Sequence, residues 1–344
     1  MKNISWWKIV GFLLVLYSMI GGLLVPLGPG IERVSPTKIN TGEDVTLEIT
    51  GYNTHFSPET QFYLKFNDDA LIASKTISVV NSNFAHATFS LPDYFPNNSE
   101  VWPLTLIMTS PIDGYALIPN IPTIINQGGE GNDAQWMSKD ILATVNVSTF
   151  HFPYRNILKE TIRNTYFHVT MWFAMIILFT ISFVHSVRFY LKNQSIDDIK
   201  ATSFVRSGVF FGILGLVTGA MWARHTWGAY WSWDVKQNMA GISVLIYCAY
   251  FILRNSLEDL DKKARLSAGY NIFAFATLIP LLFIIPRMSE SLHPGSGGNP
   301  ALGGEDLDNT MRMFFYPAII GWTLIGMWIA QLFSRLNILQ DEEQ

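Results

Sequence analysis

The chain has 344 residues, 49% hydrophobic and only 15% charged, with mean hydropathy +0.23; a soluble domain carries about 25% charge, so the balance points to a membrane protein. A net charge of −4 lacks the basic excess of a nucleic-acid binder, and nucleic acid is not expected as a partner. The single cysteine, Cys248, excludes an intramolecular disulfide, a CxxC redox pair and a CxxCH covalent-attachment site.

Six apolar stretches are long enough for a hydrocarbon core that needs about 20 helical residues. They run near 6–28, 166–190, 204–222, 237–254, 266–286 and 312–334. Lys2 and Lys8 at the start of the first leave a cleaved signal peptide as an alternative. Its length, and its end in LVPLGPG rather than an A-x-A site, favour a retained helix. Between the first two stretches the sequence changes character. Val45–Thr50, Gln61–Phe66, Lys75–Val80, His86–Leu91 and Trp102–Met108 read as short strands separated by Pro, Gly, Asn and Asp, which predicts a small β-sandwich-like module opening in an immunoglobulin-like manner. Residues 151–165 are amphipathic and predict a helix lying at the membrane surface.

The fold class expected is therefore mainly α: a six-helix polytopic membrane protein with an inserted β-sandwich-like extracytoplasmic module. Its domains are a first transmembrane helix at 1–28, the β-rich module at 29–150, a five-helix membrane domain at 151–336 and a tail at 337–344. Basic residues set the orientation. Lys2, Lys8, Arg188, Lys192, Lys200, Arg206, Arg254, Lys262, Lys263, Arg265 and Arg335 fall on one side of alternating spans, against Arg224, Lys236, Arg287 and Arg312 in the opposite short loops. Both termini are then cytoplasmic, and the β-rich module and the loops near 223–236 and 287–311 face outward.

The outward loop after the third span holds WGAYWSWD, Trp227–Asp234, preceded by Trp222. Tryptophan also gathers at membrane interfaces, which is the plain alternative to a role in binding. Four tryptophans in twelve residues also suit a flat apolar surface for a flat apolar ligand. In a helical turn Trp227, Tyr230 and Trp231 would share one face, Gly228 would permit close approach, and Asp234 would cap the fourth span. His168, in YFHVTMW, and His293, in SLHPGSGG, fall at the same depth on the same side. Two neutral imidazoles flanking an aromatic platform are candidate axial ligands for a porphyrin iron. Solvated or hydrogen-bonded imidazoles are the alternative for each. His225 ranks third, His185 reads as a packed helix residue, and His55 and His86 belong to the β-rich module without an assigned role. Arg224, Arg287 and Arg312 are outward cations suited either to porphyrin propionates or to interfacial anchoring.

WGAYWSWD matches the WGxxWxWD motif of the haem-handling protein superfamily. Over roughly 155–335, plus the first span, the chain most resembles the CcmC family, which is related to CcsA; HVTMW and LHPGSGG are supporting signals. The resemblance implies that His168 and His293 are axial ligands of haem b and that Trp227, Trp231 and Trp233 form the platform. It also implies a bacterial inner-membrane transfer protein, not an enzyme, that delivers haem to a periplasmic CcmE-like haem chaperone and works with other cytochrome c maturation subunits. The chain departs from that pattern in its β-rich module, where CcmC has a short connection. Trp-Ser-Trp-Asp followed by Val235-Lys236-Gln237 is also similar to CcsA, whose deeper histidine pair would find only His185 here. The rival expectations are a CcsA-like cytochrome c synthase subunit, a membrane b-type electron-transfer cytochrome, and a scaffold that binds no haem.

Overall fold

The computed structural model describes residues 5–67, 70–97, 99–136, 150–293 and 307–342. It divides into two units, Pro26–Lys159 and the combination of Met1–Val25 with Glu160–Gln344.

The helical unit contains α1 (Trp6–Leu24), α2 (His168–Lys192), α3 (Ser195–Trp227), α4 (Val235–Asn255), α5 (Leu260–Ile279) and α6 (Asn309–Glu342). Each is the core of a segment long and apolar enough to cross a membrane, and the chain is a multi-pass membrane protein. Their large exposed side chains, such as Ile9, Phe12, Leu13 and Leu16 on α1 or Phe210, Ile213 and Val217 on α3, are the faces a bilayer would cover, because a spanning helix satisfies its own backbone.

Local chemistry sets the boundaries. Pro26 stops α1 after an extended Val25. Left-handed Asn193 (φ 50°) ends α2, and Gly228 (φ +83°) ends α3. Asp234 and Asp259 cap α4 and α5 by accepting the amides of Lys236 and Lys262. Pro280 and Pro286 break the end of α5 into a π-helical turn, Pro280–Ile284, and a 3₁₀ turn, Ile285–Arg287.

Both α3 and α6 run well beyond their apolar cores, and α6 continues through residues 337–342. One expectation at a helix start is corrected. The amphipathic helix expected at 151–165 is instead irregular chain leading into a 3₁₀ segment, Lys159–Tyr166, whose Ile162 and Tyr166 are buried. Arg163 there donates to the carbonyls of Gly22 and Val25 (2.9 and 2.7 Å), supplying donors to the C-terminal end of α1.

Glycines bring α3 against α2. A Cβ on Gly215 would lie 2.8 Å from the Trp172 ring, and one on Gly219 2.5 Å from Cε1 of His168; small residues permit such approach between membrane helices. Phe179 of α2 stacks on Tyr247 of α4 (3.6 Å between centroids) within the buried cluster of this unit.

The second unit is β-rich, as the alternating runs predict. Its strands are β1 (Gly30–Ser35), β2 (Lys38–Asn40), β3 (Asp44–Tyr52), β4 (Gln61–Lys65), β5 (Leu71–Ala73), β6 (Thr76–Asn81), β7 (Phe84–Ser90), β8 (Val101–Pro103), β9 (Thr105–Ser110), β10 (Gly114–Ile118) and β11 (Thr123–Ile125). They form sheets ordered β1-β3-β7-β6, β10-β9-β4-β5 and β2-β11-β8. In β3, Val45, Leu47 and Ile49 are buried while Thr46 and Glu48 are exposed, the period-two pattern of a half-buried strand. The single strand expected over Trp102–Met108 is two, β8 and β9, divided at Leu104 and joined to different sheets.

Candidate functional site

The helical unit holds a cavity of about 350 Å³ lined by His168, Trp172, Phe173 and Ile176 of α2, by Gly215, Leu216 and Gly219 of α3, and by Lys236, Gln237 and Ala240 of α4. The broken end of α5 adds Leu282, Phe283, Pro286 and Arg287, and the loops add Trp231 and His293. Its size falls in the range of small-molecule sites. His168, Trp172 and Ile176 are spaced by four residues and so descend one face of α2. The cations lie at one end, Lys236 in the first turn of α4 and Arg287 in the terminal turn after α5. Further along the helices the wall is apolar.

The two imidazoles are held in the same way. Nδ1 of His168 is 3.0 Å from the carbonyl oxygen of Gly215, and Nδ1 of His293 is 2.8 Å from Oδ1 of Asp234. Both partners are acceptors, which assigns the proton to Nδ1 and leaves the Nε2 lone pair as the available donor on each ring. Burial pushes the His293 pKa down; the Asp234 charge pushes it back up and the Lys236 charge down again, and the net shift is below the ordinary value, so the ring is neutral at pH 7. For Asp234, burial pushes the pKa up. Hydrogen bonds from the Leu292 amide, the Ser291 hydroxyl and the Lys236 amide, with the influence of His293, outweigh it and hold the carboxyl below its usual range.

Tryptophans pack edge-on against both rings. Trp172 and Trp222 approach His168 with centroids at 6.1 and 5.8 Å, and Trp227 approaches His293 at 4.7 Å. Among the described residues no cluster of three or more His, Cys, Asp or Glu could hold a metal ion. A bare ion wants about four protein donors, whereas two imidazoles suffice for a metal that brings its own equatorial ligands.

The predicted site residues separate into groups. His168, His293 and Trp231 line the cavity, and Trp227 and Asp234 contact His293. The helical turn expected over Trp227–Asp234 is not formed: α3 ends at Trp227, Gly228 reverses the chain, and the following residues are irregular up to the Asp234 cap. Gly228 supplies a left-handed helix end; a Cβ there would meet no protein atom within 4 Å, so no neighbouring backbone packs against it. Tyr230 and Trp233 are 62% and 79% exposed and are not among the residues lining the cavity.

Of the three outward arginines, Arg287 lines the cavity. Arg224 instead donates to the Gly228 carbonyl and lies over the Tyr230 ring, and Arg312 bonds Asn309. His225 is exposed, and His185 is paired with Asp197 at 2.7 Å. The distal part of LHPGSGG, residues 294–298, lies outside the described residues. Sequence reasoning missed Trp172 and Lys236 as lining residues. The four-residue step from His168 to Trp172 is visible in the sequence, whereas Lys236 becomes recognisable only once α2, α3 and the end of α5 are brought against the first turn of α4.

Fold and site together define a multi-pass membrane protein that presents two imidazoles to one largely apolar cavity. Residues 135–344 match the family model described as heme exporter protein C, and the chain belongs to that family. Heme exporter protein C of Bradyrhizobium diazoefficiens is 25% identical over 181 residues, 52% of this chain and 68% of the relative. The protein of the same name from Paracoccus denitrificans is 22% identical over 178 residues, 52% of this chain and 73% of the relative. Cytochrome c biogenesis protein CcsA of Glycine max is 33% identical over a shorter stretch of 91 residues, 25% of this chain and 28% of the relative.

Proposed function

We propose that the protein takes haem b as cargo at the extracytoplasmic face of a bacterial inner membrane, holds its iron between Nε2 of His168 and Nε2 of His293, and passes it to a CcmE-like haem chaperone during cytochrome c maturation. The observation that carries this reading is that both imidazoles line one cavity, each with Nδ1 committed to an acceptor. The apolar wall formed by Trp172, Phe173, Ile176, Leu216 and Leu282 suits a porphyrin ring. Lys236 and Arg287 at one end suit its two carboxylates. Release needs no bond cleavage beyond the iron–nitrogen bonds, because Cys248, the one cysteine, lies within α4 and offers no thioether site.

The distribution of Lys and Arg supports cytoplasmic termini and an outward cavity. The β-rich unit is read as a sandwich, since Ile31, Leu47 and Phe89 of one sheet and Phe62, Leu64 and Leu106 of another share one buried cluster. In the domain scheme of the sequence it is the extracytoplasmic module at 29–150, between the first transmembrane helix and the haem-handling domain. It offers a surface for the other maturation subunits.

The identity to CcsA favours a second reading, a synthase subunit that attaches haem to apocytochrome. Incubating the loaded protein with a CxxCH peptide separates the two, since only a synthase yields a thioether product. The principal test is the absorption spectrum of detergent-purified protein. A six-coordinate haem signal is expected in the wild type and its loss in the His168→Ala/His293→Ala double variant; equal spectra overturn the reading.

A further inference from the structure

Asp234 receives more hydrogen bonds than a helix cap requires. Its Oδ1 accepts the Lys236 amide at 2.8 Å, the bond that caps α4. The same carboxylate accepts the Leu292 amide at 2.7 Å, the Ser291 hydroxyl at 2.9 Å and Nδ1–H of His293 at 2.8 Å. These three donors come from the turn that follows α5, 57 to 59 residues along the chain. The His293 amide closes the turn on Ser291 Oγ at 3.2 Å. With 2% of its side chain exposed, the carboxylate is a buried clamp that joins the end of the tryptophan segment to the turn presenting His293.

We infer that Asp234 is a positioning residue for the iron ligand: by holding His293 as the Nδ1–H tautomer it aims Nε2 into the cavity and sets the strength of the iron–imidazole bond. This rests on the haem-ligation reading above. A carboxylate accepting from the distal ring nitrogen makes the imidazole a more basic ligand, and losing such a partner commonly weakens metal binding by about 10–100-fold. The more basic ligand favours ferric over ferrous iron. Weakening the bond therefore raises the reduction potential of whatever haem is retained, an effect that a cap or a packing role alone does not produce.

The test compares wild type, Asp234→Asn, His293→Ala and Asp197→Asn, each loaded with haem in detergent. Haem dissociation rate, reduction potential and thermal unfolding are read for each. Asparagine keeps the shape and one acceptor for the Lys236 amide but removes the charge. The expected result is haem release faster by about 10–100-fold and an upward shift in potential for Asp234→Asn, with neither change in Asp197→Asn, which alters a His–Asp pair away from the cavity. A wild-type potential and release rate in Asp234→Asn overturn the inference while leaving ligation intact, provided His293→Ala loses haem. If His293→Ala binds as wild type does, the ligation reading fails and takes the inference with it. Should Asp234→Asn not accumulate, Asp234→Glu, which keeps the charge and displaces it by one methylene, decides in the same way: altered potential and release support the inference, wild-type values overturn it.

Discussion

Helix α2 carries a histidine near each end, and a His–Asp pair lies at both, but the cavity lies at only one of them. At the cavity end, His168 bonds a carbonyl of α3, and His293 with Asp234 completes a pair of rings around open space. Seventeen residues along, about 26 Å of helix, His185 bonds Asp197 at 2.7 Å, Arg188 approaches the same carboxylate at 3.5 Å, and Phe204 stacks on the imidazole. Beside it Arg254 grips Asp198 through two bonds of 2.8 and 2.6 Å. The far end is filled by its own partners, and it ties α2, α3 and α4 together. A His–Asp pair is thus not itself a site; a site needs a second imidazole and a cavity between the rings.

The largest effect is expected where that division assigns stability. Asp198→Ala leaves the Arg254 guanidinium unpaired and should cost about 3–5 kcal/mol, read by thermal or denaturant unfolding, while haem bound per folded molecule stays constant. A fall in haem per folded molecule would mean that the two ends are coupled.

At the cavity end, Gly219→Ala forces a methyl group to within 2.5 Å of His168 Cε1. Displacing the ring should weaken haem retention by about tenfold, or 1.4 kcal/mol, with little loss of helix content. Next in size, Lys236→Met/Arg287→Met should erase the preference for haem over its dimethyl ester by several-fold, of the order of 1 kcal/mol for exposed ion pairs. Competitive titration measures it, and an unchanged preference would place the carboxylates elsewhere. The smallest effect is the sharpest test of the contrast. His185→Ala should alter haem affinity by less than about twofold; a large loss would give the far end a part in binding.

Much of the architecture was legible in the sequence because two periodicities dominate it. Apolar runs of membrane length marked the six helices, and alternation marked β3, β4, β6 and β7. Short strands such as β2, β5 and β11, three residues each, carry too little pattern to be read, and the break between β8 and β9 depends on sheet partners remote in sequence. At the site, His168 and His293 were found by depth and side. The division of the tryptophan segment into a cavity-lining ring, a ring against His293 and exposed rings was not, because Gly228 takes the chain out of helical register just where that reading assumed a helical face. The role of Asp234 was half visible: its cap is local, whereas its bond to His293 spans 59 residues.

The two imidazoles that line the cavity are separated by 125 positions, 293 minus 168. Translation at about 5–20 residues per second delivers them roughly 6–25 s apart. During that interval the ribosome has released the α2–α3 hairpin with one donor and no counterpart. On the ligation reading, a nascent chain therefore holds both donors only once α4 and α5 have been made, with α6 still to follow.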